Sequence, residues 1–168
     1  MSREAAGLIM VGVALLLLLL VLLAWRRRVR RDAGLRAPLG IPEDAEIRER
    51  RPILYVATTR HDEPLERLAI TPLAYRARGE AVRTDRGLAL SIDGAPVVFL
   101  PSEQLISVDR SQWTIDRVVE PGGLVRVTWR VDEENIVDTY FRLTAGEISD
   151  LIRDLAPLCK APQTGASA

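Results

Sequence analysis

Imidazole or thiol chemistry in this chain has one side chain of each kind to draw on. His61 is the only histidine and Cys159 the only cysteine. A Ser-His-Asp or Cys-His arrangement must include His61, whose nearest acidic neighbours in sequence are Asp62 and Glu63. His61 lies in Thr59 to Pro64, which reads as an exposed loop, so it is expected to be a solvated loop histidine. A zinc site needs three or four His, Cys or carboxylate ligands, and one histidine with one distant cysteine falls short. Cys159 follows a predicted helix and is expected to be partly exposed and inert.

The other groups that could do chemistry read the same way. Asp132-Glu133-Glu134, with Asp138 a few residues on, is an acidic run. Calcium needs six or more oxygens in a fixed loop, and the glycine of that loop is missing, so a solvated turn is expected. Pro121-Gly122-Gly123 is too short for a phosphate loop and no lysine follows it. Trp113, Trp129, Tyr140 and Phe141 fall at strand positions and are expected in the core, although aromatic side chains could also line a groove. Arg76, Arg78 and Arg83 surround Gly79 and could hold an anion, but Glu80 and Asp85 interrupt them. The reading is a non-enzyme with no cofactor and no metal site.

The elements that position these residues begin with an apolar run. Ala5 to Trp25 holds no ionisable residue. As a helix it spans about 30 Å, the thickness of a bilayer's hydrocarbon core. Between Leu8 and Leu23 there are 13 Leu, Ile or Val residues, which favour insertion by about 4 to 8 kcal/mol. The run has no polar face, as a buried helix would, and no small-residue cleavage site, as a signal peptide would. A retained transmembrane helix over residues 5–25 is expected. Arg26, Arg27, Arg28, Arg30 and Arg31 follow it, with Trp25 at the boundary, and these six are the expected membrane-interface residues. The excess of positive charge after the helix places the N-terminus outside and the body in the cytoplasm, at the plasma membrane. The arginines also suit anionic lipid. Gly7 and Gly12 are five apart, so no GxxxG pair supports helix dimerisation.

The net charge is zero, but it divides unevenly. Residues 1–31 hold six arginines and Glu4, a balance of +5, and the rest carries −5. An acidic body disfavours nucleic acid, which requires a basic face. Residues 26–52 read as a basic juxtamembrane segment and linker, with Pro38, Gly40, Pro42 and Pro52. Residues 53–158 then alternate in short apolar runs broken by turns, the pattern of an all-β domain. Strands are expected at Ile53–Thr58, Leu73–Ala77, Ala81–Thr84, Leu88–Ile92, Val97–Leu100, Leu105–Asp109, Trp113–Val119, Val125–Val131 and Ile136–Leu143. Asp93-Gly94 is a two-residue hairpin signal. Thr144-Ala145-Gly146-Glu147 reads as a capping box. Ile148, Leu151, Ile152 and Leu155 form one apolar helical stripe, which Pro157 limits. Residues 159–168 read as a flexible tail.

This order resembles the PH-like domains of bacterial membrane proteins, in particular single-span actinobacterial ones. The resemblance rests on the anchor, the meander of short strands, Val97-Val98-Phe99-Leu100-Pro101 followed by Leu105-Ile106-Ser107-Val108, a final long hairpin and a capped helix. It implies an all-β PH-like barrel or sandwich of about seven strands, closed by one C-terminal α-helix. It also implies binding or scaffolding without catalysis, and names no ligand. The expected partners are the bilayer, through the N-terminal helix, and an unidentified protein. The alternative function is a small accessory subunit of a membrane transport or export assembly.

Overall fold

The computed structural model describes residues 3–32, 35–68, 70, 72, 73, 75–111 and 123–159. The chain divides into two compact units at Gly34. The first holds α1 (Arg3–Asp32). Every side chain from Ile9 to Arg27 is exposed, and this stretch has a mean hydropathy of 2.6, long and apolar enough to cross a membrane. Arg28, Arg30 and Arg31 continue the same helix.

The second unit is an antiparallel sheet: β1 (Ile47–Arg60), β2 (Glu63–Arg67), β3 (Ala77–Thr84), β4 (Gly87–Ile92), β5 (Val98–Pro101), β6 (Leu105–Ser111), β7 (Leu124–Arg130) and β8 (Ile136–Leu143). The order is β5-β4-β3-β1-β8-β7-β6, with β2 beside β1. β1 serves both halves of the sheet. Its first part, Ile47 to Tyr55, pairs with β3, and Ile53 to Arg60 pairs with β8. A bulge between Tyr55 and Ala57 changes which side chains face inward. Two residues then oppose one, so Tyr55 and Thr58 share a face although they are three apart. Val56 and Ala57 turn outward onto Leu124 and Tyr140.

The main core gathers the inward rows of every strand but β2 around Trp129, Phe141 and Tyr55, with Leu151 and Leu155 of α2 (Ile148–Leu155) packed in. This is the apolar stripe the helical spacing predicts. Arg51 of β1 fastens the helix: its guanidinium reaches Asp154 at 3.1 Å, Glu49 at 2.8 Å and the Glu147 carbonyl at 3.2 Å. A short 3-10 turn, Ala156–Leu158, begins before Pro157, where the α-helix stops.

Several sequence expectations are corrected. The stretch read as linker is part of the folded unit: Leu35 and Ala37 are buried in the core, and β1 starts at Ile47, ahead of Ile53. Leu39 bridges Val98, the Phe99 amide donates to the Pro38 carbonyl, and the Gly40 amide donates to the Val97 carbonyl. This strap lies on the outer edge of β5, and Ile41 packs on Val82, Ala89 and Phe99 behind the sheet. Pro38 and Pro42 lack amide protons, so the strap offers few donors to a further strand.

The Asp93-Gly94 turn is present, with Gly94 at φ +77°. The connection is longer than two residues, because the last β4–β5 pair is Leu90 with Val98. The Ala95 amide closes a turn onto Ile92, and Pro96 offers no donor to a tighter ladder. Leu73 is in a loop and β3 runs unbroken through Gly79. The capping box is absent. Glu147 is the N-cap residue and its side chain makes no cap bond. The Thr144 hydroxyl donates instead to the Pro52 carbonyl at 3.1 Å, and Gly146 at φ +87° breaks the helical path between them. The expected Trp113–Val119 strand, Pro121 and Gly122, and residues 160–168 lie outside the described residues.

Candidate functional site

The β1–β2 turn brings together the one polar cluster that combines an imidazole with a buried carboxylate. Alternation along β8 sends Val137, Thr139 and Phe141 inward and leaves Asp138 on the other face. Asp138 stands in register between Thr59 of β1 and Thr128 of β7. Thr128 Oγ1 donates to Asp138 Oδ1 at 2.7 Å. His61 sits where β1 ends, with its amide on the Ile136 carbonyl at 3.1 Å. Its Nδ1 lies 3.1 and 3.2 Å from the two oxygens of Asp138. The carboxylate side chain is 2 % exposed and the imidazole 37 %. The second ring nitrogen, Nε2, is 3.5 Å from Asp62 Oδ2. Asp62 has φ +59°, a left-handed turn conformation that aspartate tolerates.

His61 is therefore not simply a solvated loop histidine, and Asp138 is no part of a solvated acidic run. Nearby, burial first and the charge of Asp138 second push the Tyr140 phenol up. The rest of the acidic run is a structural turn. Asp132 Oδ1 accepts from the Glu134 amide, the Asn135 amide and the Asn135 side chain at 2.8 to 3.0 Å. The Asn135 side chain leads the bonds that hold the Asp132 carboxyl below its usual range.

The remaining candidates are kept apart by the fold. Arg78 and Arg83 are five apart on one strand and point to opposite faces. Glu80, between them, pairs with Arg50 at 3.1 Å. Asp85 exchanges hydrogen bonds with Glu46, accepting at 2.8 Å and donating at 3.1 Å. Trp129 and Phe141 lie in the main core and Tyr140 in the smaller outer cluster, as expected of strand aromatics. Cys159 is half-buried, and burial, then the charge of Asp109, pushes its thiol up, away from the reactive thiolate. Among the described residues no three His, Cys, Asp or Glu side chains converge as a metal site. On α1, Trp25 at the end of the apolar run and Arg26 and Arg27 after it are exposed.

Asp138 is the residue that sequence reasoning missed as His61's partner. The two are 77 positions apart and meet only through the β1–β8 ladder. The alternation of β8 carries half of the signal, since it excludes Asp138 from the inward row. Nothing local carries the other half.

An antiparallel sheet closed by one C-terminal helix, with a long first strand shared between both halves, defines a PH-like fold. Residues 35–154 match the family described as Bacterial PH domain-like, and the chain belongs to that family. Among solved structures it is similar to the solution structure of the C-terminal phosphotyrosine interaction domain of APBB2 from mouse. That similarity has a TM-score of 0.50 and 8 % identity, and covers 75 % of this chain and 95 % of that one. At this identity the likeness concerns fold alone. No curated protein matches the chain.

Proposed function

We propose that the chain is a non-catalytic, membrane-tethered interaction module that holds a protein partner at the cytoplasmic face of the plasma membrane. The observation that carries this reading is the pairing of a PH-like domain with a helix whose apolar side chains from Ile9 to Trp25 are all exposed. Such a helix is unstable in water and suits a bilayer. The arginines after it favour a cytoplasmic domain. The mouse domain is named for interaction with phosphotyrosine; with only the fold in common, that ligand is not carried over.

Fractionation and topology reporters test the tether. The chain should resist alkaline extraction from membranes, and a C-terminal reporter should be active in the cytoplasm. Extraction into the soluble fraction, or an external C-terminus, would overturn this reading. Crosslinking in intact membranes should recover a protein partner through the domain after α1 is exchanged for an unrelated span. Loss of that partner on exchange would point to the accessory-subunit role, in which the helix itself packs against other spans.

A further inference from the structure

The outer face of the sheet holds two arginines that the fold leaves without a counter-ion. Leu54 of β1 stands in register with Arg78 of β3 on one side and with Arg142 of β8 on the other. All three point outward, because Ile53, Tyr55, Phe141 and Leu143 fill the main core and Ala77 packs against it. Neighbouring strands lie about 4.8 Å apart, so the two arginine Cα atoms are roughly 10 Å apart with Leu54 between them. Both arginines are exposed and Leu54 is half-buried. The carboxylates of this face are engaged elsewhere. Glu80, two residues on from Arg78, pairs with Arg50 at 3.1 Å, and Asp109 with Arg126 at 3.4 Å. Asp138 is taken by His61 and Thr128. The Asp93 amide donates to the Arg78 carbonyl at 2.9 Å, but the two side chains form no ion pair. Among the described residues neither guanidinium, of Arg78 or of Arg142, has a hydrogen bond or an ion pair. Two unneutralised positive charges therefore stand together on a body whose net charge is −5.

We infer that Arg78, Leu54 and Arg142 form a docking site for an extended acidic segment of the protein partner. Each guanidinium is a planar fork that matches a carboxylate with two parallel N–H···O bonds. In an extended chain the side chains at i, i+2 and i+4 share one face and span about 13 Å. Carboxylates at i and i+4 then meet the two arginines, whose long stems lean outward to them, and an apolar side chain at i+2 covers Leu54. Inorganic phosphate or a lipid headgroup would use the forks and leave Leu54 uncovered, so the apolar centre favours a peptide. This inference rests on the reading of the domain as a module that holds a protein, and names the chemistry of what it holds.

Fluorescence anisotropy of a labelled peptide containing Glu-Ser-Leu-Ser-Glu, titrated with the full chain in nonionic micelles, tests the site. Binding is expected, and should vanish in about 1 M salt, where the Debye length is about 3 Å. R78Q and R142Q should each weaken it about threefold and the two together about tenfold. R110Q, at an exposed arginine of β6, should not weaken it. The variants should melt with the wild type, since neither side chain bonds anything in the fold. A peptide with glutamine for glutamate should not bind, and one with serine for leucine should bind more weakly. Equal affinity in the double variant, no binding at millimolar peptide, or tighter binding of inorganic phosphate or phosphatidylglycerol vesicles would each overturn the site. In intact membranes the double variant should lose the crosslinked partner. A partner that crosslinks undiminished overturns the site and leaves the tethered module standing. If the wild-type chain crosslinks no protein, that wider reading fails, and the peptide titration still decides the site.

Discussion

Tyr55 shows how one residue holds two parts of the domain together. Its hydroxyl donates to the Leu73 carbonyl at 2.7 Å, and a phenol has only one proton to give. It must therefore accept from Thr58, which lies 3.0 Å away. Thr58 in turn accepts from Thr139 at 3.0 Å, and Thr139 accepts from the Trp129 indole at 2.9 Å, since an indole N–H can only donate. Four buried groups are satisfied in one direction, ending on the loop before β3. Burial pushes the Tyr55 phenol up to about 12, against partial opposition from Thr58. Tyr55→Phe leaves the Leu73 carbonyl without this donor and should cost about 1 to 3 kcal/mol in urea denaturation. The pH dependence has a defined sign. The unfolded phenol ionises near pH 10 while the folded one stays protonated to about 12, so the folded state binds more protons in that window. Stability should be fully present below pH 10 and fall by up to about 3 kcal/mol as pH rises toward 12. Tyr55→Phe should lose that part of the slope. Equal slopes in both proteins would mean that other groups dominate alkaline unfolding.

At the scale of elements, two glycines separate close approach from turn chemistry. A Cβ on Gly79 would stand 2.2 Å from the Ser91 carbonyl oxygen and 2.9 Å from Ile92 Cα, both backbone atoms of the adjacent strand. Neither can move without parting β3 from β4, so Gly79→Ala should destabilise by more than about 3 kcal/mol or prevent folding. Gly94 has open space around it but a left-handed backbone at φ +77°, so Gly94→Ala should cost only about 1 kcal/mol. Thermal unfolding of the two variants side by side checks the ranking, and equal losses would refute the steric argument. The elements themselves were legible where periodicity was clean. β8 has the expected bounds, and Val125, Val127 and Trp129 alternate inward as expected. The outward row of β7 is less solvated than alternation suggests, because Thr128 bonds Asp138 and Leu124 joins the outer cluster. β2 was illegible: Glu63–Arg67 is polar and short, and becomes a strand only because β1 stands beside it. The capping box failed for a related reason, as Thr144 found a carbonyl on β1, distant in sequence, in place of its own helix.

For the whole molecule, the decisive question is where the domain begins. Leu35 and Ala37 are buried with the main core, and the strap through Ile41 covers the outer face of β3, β4 and β5. It is clasped at its far end by the Glu46–Asp85 pair of backbone and side-chain bonds and by Arg86 on Asp44 at 2.6 Å. A chain starting at Leu35 should fold cooperatively without α1. One starting at Ile53 loses the strap, the first part of β1 and most of its pairing with β3, and should be unfolded or aggregated. Proton amide exchange on the two fragments distinguishes these outcomes, and a folded fragment from Ile53 would show that the strap is dispensable.

The amino-acid order alone was enough for the apolar helix, the charge asymmetry across it, the β-rich body and the amphipathic closing helix. All of these rest on composition or on a repeat within a few residues, so no distant contact can alter them. Tertiary structure decided the role of the strap, the turn of β1 at Val56, and the meeting of His61 with Asp138. In each case the partner lies dozens of residues away, and the strap's prolines and glycine read as linker until β5 supplies an edge for them to cover. The same local sequence serves as linker or edge strand, and solvated loop or hydrogen-bonded turn, according to what the fold sets beside it.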